Sequence, residues 1–157
     1  FLQKIRRILR EENYPPELLE LEITETVLMQ SLEINVIKLK ELRNYGIRIS
    51  LDDFGTGYSS FTYLSRLPID VLKIDKSFLQ EVGVTSNGAA IIGTIIQLAH
   101  QMNIKVVAEG VETKQQLQSM RNLKCDYMQG FLLSRPLSSD GILEIYTENK
   151  GMFSVAD

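Results

Sequence analysis

Cysteine is nearly absent from this 157-residue sequence, and so is any long run of apolar residues. The single Cys125 excludes a disulfide framework within the chain and fits a reducing compartment, so a cytoplasmic protein is expected. The longest apolar stretch, Ala89 to Ala99, is interrupted by Gly93, Thr94 and Gln97 and falls short of the roughly 18 residues that a membrane span needs. Any membrane anchor would belong to other parts of a parent protein. The opening Phe1-Leu2-Gln3-Lys4 lacks the basic segment and long apolar core of a signal peptide. A surplus of basic charge is missing too: 17 Lys and Arg stand against 20 Asp and Glu, for a net charge of −3. That balance argues against a nucleic-acid duplex as partner, because neutralising phosphates takes clustered cations. What is present suits a globular domain, with 44% hydrophobic and 24% charged residues supplying one packed core. The chain starts without Met, in a helical pattern, so a longer parent is expected.

Phe1, Leu2, Ile5, Ile8 and Leu9 recur at helical spacing over residues 1–13, and Pro15-Pro16 ends that helix. Leu18 to Thr24 alternates apolar and polar residues as a strand does. Thr26 to Tyr45 reads as one long amphipathic helix stopped by Gly46. Further strands are expected over 47–52, 71–75, 105–109 and 126–131. Helices are expected over about 60–66, 76–82, 89–102, 113–122 and 138–146. Residues 1–150 are expected to form one domain, with 151–157 a tail or linker. Strand and helix alternate five times after the leading helix, which predicts a parallel sheet with helices packed outside. Either a doubly wound sheet or a (β/α)8 barrel satisfies this spacing.

Side-chain parity carries more information. In a barrel, one parity of each strand faces the helices and the other faces the interior, and inward residues at the strand carboxyl ends form the active site. Leu21 and Ile23, Ile49 and Leu51, Leu72 and Ile74, and Val106 and Ala108 are the outward sets. That leaves Glu22, Asp52, Lys73 and Glu109 on the inner side, with Gln129 beside Tyr127 in the fifth strand, and Asp53 at the tip one residue past Asp52. A lone Asp or Glu at a strand end is ordinarily a cap or a solvated turn residue. Polar residues of matching parity on five successive strands point instead to a site. Carboxylates gathered in a low-dielectric interior lose hydration and repel one another, and a divalent cation answers both costs. Oxygen ligands from Glu22, Asp52, Asp53 and Glu109 suit Mg2+, Mn2+ or Ca2+. Adjacent Asp52-Asp53 lets one carboxylate bridge two ions, an arrangement used for cutting phosphoesters. Lys73 adds a positive charge able to hold a phosphate oxygen or an attacking water.

Other features carry less. The loop Asp53 to Ser60 lacks the GxxxxGK[ST] pattern of a phosphate cradle. Asp53-Phe54-Gly55 matches the kinase triplet by chance, since no kinase lid or catalytic-loop motif precedes it. Phe54 and Tyr58 suit either stacking on a base or loop packing. His100 and Cys125 read as structural.

Five segments together resemble one family. Glu22-Ile23-Thr24-Glu25, Asp52 through Ser60, Leu72-Lys73-Ile74-Asp75, Val107 through Thr113 and Gln129-Gly130-Phe131 closely resemble the EAL family of bacterial cyclic di-GMP phosphodiesterases. The likeness covers about residues 1–146. It implies an α/β fold of the (β/α)8 TIM-barrel type, here a partial barrel of about five β/α units forming the C-terminal two-thirds of the domain. It implies metal ligands at Glu22, Asp52, Asp53 and Glu109, with Asp52 the bridge, and a water-positioning Lys73. Glu112 and Gln129 match family positions near metal, water or guanine, so Lys73, Glu109 and Glu112 are expected to be catalytic and Gln129 and Lys73 to touch substrate. Glu25 matches the glutamate anchoring the loop that holds Gly55 and Gly57, a loop tied in this family to metal binding and dimerisation. The implied reaction is Mg2+- or Mn2+-dependent hydrolysis of cyclic di-GMP to linear pGpG, with Ca2+ an inhibitor. Self-association and an upstream sensor or cyclase domain are implied partners. The Glu-Ala-Leu signature and a family Asn are absent from the chain, so the chain alone is expected to be inactive. The competing reading is a non-catalytic receptor that binds cyclic di-GMP and signals through a partner domain.

Overall fold

A computed structural model describes residues 1–55, 61–80 and 88–148. Helix α1 (Leu2–Glu11) leads by way of a 3-10 turn (Pro16–Leu18) to β1 (Glu20–Thr24), followed by α2 (Glu25–Gln30) and α3 (Leu32–Asn44). Then come β2 (Arg48–Phe54), α4 (Phe61–Leu64), β3 (Val71–Ile74), α5 (Lys76–Gln80), α6 (Gly88–Gln101), β4 (Lys105–Glu109), α7 (Lys114–Asn122), β5 (Tyr127–Gln129) and α8 (Ser139–Glu148). The five strands pair in chain order, β1-β2-β3-β4-β5, and every pairing is parallel. A doubly wound sheet reverses its strand order at a switch point. No reversal occurs here, so the sheet is a partial barrel and the alternative left open by the spacing is closed. Among the described residues no helix is long and apolar enough to cross a membrane.

The outward parity forms the core as expected. Ile49, Leu51, Leu72, Ile74, Val106 and Ala108 are all at most 1% exposed, packed with helix residues such as Leu42, Ile92, Ile96 and Met120. Burying each large aliphatic side chain contributes about 1.5–3 kcal/mol. On the edge strand, Leu21 and Ile23 are only partly buried.

Two acids lock the amino-terminal end of this sheet. Asp70, just before β3, accepts a bond from the Ile49 backbone N–H of β2 at 3.0 Å and pairs with Arg43 of α3 at 2.9 Å. Asp126, just before β5, repeats the device two strands on. It accepts from Val106 N of β4 at 3.0 Å, from Lys105 Nζ at 2.6 Å, and pairs with His100 Nε2 at 2.7 Å. His100 is therefore structural, as expected, through a partly exposed hydrogen bond and not through apolar packing. Neighbouring Cys125 donates to Tyr127 O at 3.2 Å, and burial pushes its thiol up to about 11.

Several boundaries differ from the sequence expectations. The long helix of 26–45 is two helices, broken at Ser31 (φ −152°, ψ 60°). Asn35 explains the break: its side-chain amide donates to Val27 O and Leu28 O at 3.1 and 3.2 Å, serving carbonyls that α2 leaves open at its end. The first strand begins at Glu20, because Pro16–Leu18 forms the 3-10 turn. Strand β2 runs on through Phe54, and β5 is confined to Tyr127–Gln129. Phe54 is 4% exposed in the core, so it packs and cannot stack on a ligand. Tyr58, Gly57 and the 151–157 tail lie outside the described residues.

Candidate metal centre

At the carboxyl end of β2 the chain departs from ideal pleating. The register with β3 passes from Leu51↔Leu72 to Phe54↔Ile74, so β2 holds one more residue than its partner across that step. This is a β-bulge, and Asp53 takes the left-handed conformation there (φ 54°). Strict alternation would send Asp52 and Asp53 to opposite faces. The bulge lets both share one. Carboxylate oxygens of Asp52, Asp53 and Glu109 all lie within 4.8 Å of one another.

Lys73 is the hub of the cluster. It rises from β3 with 8% exposure, and its ammonium lies 3.0 Å from Glu22 Oε2, 3.0 Å from Asp52 Oδ1 and 2.9 Å from Glu109 Oε1. Burial alone would favour the neutral amine. The bonds to Glu109, Asp52 and Glu22 outweigh it and hold the Lys73 pKa well above the usual lysine range. Lys73 is accordingly a cation at neutral pH, suited to orienting an anion or a water and unsuited to accepting a proton. Glu22 joins the cluster only through Lys73; its side chain is 52% exposed on the edge strand.

The chemistry of the donor set fits a divalent cation. Four carboxylates with one ammonium leave a local excess of negative charge, and among the described residues every ligand atom on offer is a hard oxygen, with no sulfur or imidazole taking part. That chemistry matches Mg2+, Mn2+ or Ca2+ and disfavours a thiolate-seeking metal.

Glu25 anchors the end of β2. Buried at 4%, it opens α2, and its Oε2 accepts the Gly55 backbone N–H at 3.0 Å. Gly55 has φ +98°, and a Cβ there would sit 2.2 Å from the Phe78 ring, so no other residue fits without rearrangement. Glu25 thus reaches the backbone of Gly55, the last residue described before residue 61.

Beside the cluster lies a cavity of about 760 Å3 whose lining includes Glu109, Glu112 and Gln129. Gln129 pairs in register with Glu109. Asp75 and Lys76 form part of the same wall. The sequence signal for Asp75 is its place directly after β3, at the same end of the sheet where Glu109 closes β4.

A family model described as EAL domain matches residues 1–136. The cyclic di-GMP phosphodiesterase NbdA of Pseudomonas aeruginosa is 44% identical over 136 residues, covering 87% of this chain and 17% of NbdA. The bifunctional diguanylate cyclase/cyclic di-GMP phosphodiesterase MucR of the same organism is 42% identical over 142 residues, covering 90% of this chain and 21% of MucR. The structure of Klebsiella pneumoniae BlrP1, a manganese/cy-diGMP complex, superposes with a TM-score of 0.80 at 30% identity, over 86% of this chain and 34% of that one. BlrP1 was also solved as a calcium/cy-diGMP complex. The chain therefore spans about a fifth of the curated relatives.

Proposed function

The chain belongs to the EAL domain family, and on that premise we propose that the complete domain hydrolyses cyclic di-GMP to linear pGpG with Mg2+ or Mn2+. The observation that carries this reading is the convergence of Asp52, Asp53 and Glu109 around the charged Lys73. Asp52, Asp53 and Glu109, joined by Glu22, would hold the cations. A bound cation supplies a water of lowered pKa and stabilises charge on the phosphate.

The protein's own groups do the remaining work. The Lys73 ammonium holds the attacking water or a phosphate oxygen in line, by charge and position. Glu112 and Gln129 line the adjoining cavity, where they contact the dinucleotide and its water. Glu25 holds Gly55 and so keeps the bulged end of β2 in place. Residues 1–150 act as one partial domain. The same oxygens would also hold Ca2+, which would inhibit. Self-association and a sensor or cyclase domain elsewhere in the parent complete the proposal, the latter supported by the bifunctional MucR.

The test is hydrolysis of cyclic di-GMP by the complete domain in Mn2+, compared with Glu22→Ala and Lys73→Ala. Both variants are expected to lose turnover. Unchanged rates in both reject the assignment, and binding without any turnover in the wild type favours a receptor.

A further inference from the structure

Gln116 has a bonding pattern that helix capping does not account for. Its side-chain oxygen accepts from Thr113 N at 3.0 Å while Gln116 N donates to Thr113 Oγ1 at 3.2 Å, and this reciprocal pair is the capping box of α7. The same oxygen also accepts from Glu112 N at 2.9 Å. The amide nitrogen turns away and donates to Leu79 O at 3.0 Å, across 37 residues of chain. Gln116 is 9% exposed and Leu79 is fully buried, so that bond is shielded from water.

These bonds join two walls of one cavity. Glu109 ends β4, Gly110 and Glu112 follow it in the β4–α7 loop, and Asp75 and Lys76 stand at the entry to α5. A second contact draws the same segments together: Gly110 sits at φ +70°, and a Cβ on it would lie 2.4 Å from Lys76 Cβ. Gly110 permits the close approach, and Gln116 bolts the loop to the far end of α5.

We propose that Gln116 is a positioning residue that fixes Glu112 and the β4–α7 loop against α5, and so sets the width of the substrate cavity. The proposal rests on the phosphodiesterase reading for the identity of the ligand. Losing the bolt lets Glu112 drift relative to Asp75 and Lys76, which weakens grip on the substrate. The cation cluster, held by Lys73 from β3, is less affected.

Three variants of the complete domain separate positioning from capping. Gln116→Glu keeps an oxygen for the capping box and loses the donor to Leu79 O. Gln116→Ala loses both. Thr113→Ala removes the hydroxyl cap and leaves every bond of the Gln116 side chain. Steady-state kinetics with cyclic di-GMP and Mn2+, calorimetric affinity for cyclic di-GMP in Ca2+, and thermal melting are measured on all three. Both Gln116 variants are expected to raise KM and Kd about tenfold, with a smaller change in kcat. Thr113→Ala is expected to lower the Tm while KM stays within about twofold of wild type. Gln116 variants with wild-type KM and Kd, or a Thr113→Ala variant with the same rise, overturn the proposal alone. Wild-type protein that binds but does not hydrolyse overturns the phosphodiesterase reading and leaves the Gln116 comparison legible in Kd. Wild-type protein that neither binds nor hydrolyses overturns both.

Discussion

Truncating Lys73 leaves Asp52, Glu109 and Glu22 without the ammonium they share within 3.0 Å, and strips the site of its fixed positive charge. In the complete domain Lys73→Ala should lower kcat by about a hundredfold or more, read by chromatography of cyclic di-GMP and pGpG. Gly55→Ala should destabilise the fold by about 1–3 kcal/mol, because the new methyl meets the Phe78 ring at a left-handed backbone position. Urea unfolding measures that loss, and trimming the ring with Phe78→Ala should recover only the steric part. At this scale the sequence was informative wherever alternation held. Parity alone put Glu22, Asp52, Lys73 and Glu109 on one side, and Lys73 joins the other three. Asp53, read from the sequence as a tip residue and an oxygen ligand, does gather with Asp52 and Glu109, although strict alternation would send it to the opposite face. The bulge that brings Asp53 back arises from pairing with β3, and no local pattern encodes it. Gln116 escaped notice for a similar reason: in sequence it is one more polar helix residue, and its partner Leu79 O belongs to another element.

Among the elements, the strand-leading acids carry the clearest pH dependence. Burial alone would raise the Asp126 carboxyl, but its bonds to Lys105, His100 and Val106 N bring it down to about 2 from an ordinary 3.8. A carboxyl depressed by folding adds stability above its unfolded pKa and loses it as pH falls toward the folded value. Asp126→Asn should therefore cost about 1–2 kcal/mol near neutral pH. The difference from wild type should shrink between about pH 4 and pH 2, as followed by denaturant unfolding at a series of pH values. Cys125, with its thiol pushed up to about 11 by burial, should resist a thiol reagent at pH 8 until the protein unfolds. Rapid labelling of the native chain would contradict the buried placement beside β4 and β5. Element types were readable throughout because apolar spacing separates strands from helices. The break at Ser31 was not, since it depends on Asn35 reaching back to carbonyls of α2.

For the whole molecule, five strands in chain order form an arc and not a closed ring, whereas a full barrel has eight. Among the described residues, β1 and β5 are each paired on one side only. Exposed strand edges of this kind invite pairing with another chain. The isolated 157-residue chain should self-associate with rising concentration, as size-exclusion chromatography with light scattering would record. A well-folded monomer at every concentration would contradict that expectation. The sequence rhythm announced a parallel sheet and left its closure open; the family resemblance implied a partial barrel, and the strand order agrees with it.

The most direct measurement is an anomalous-scattering map of the complete domain crystallised with Mn2+. The account predicts density within about 2.5 Å of carboxylate oxygens of Asp52, Asp53 and Glu109. Manganese bound elsewhere, with these three carboxylates turned away from one another, would contradict it.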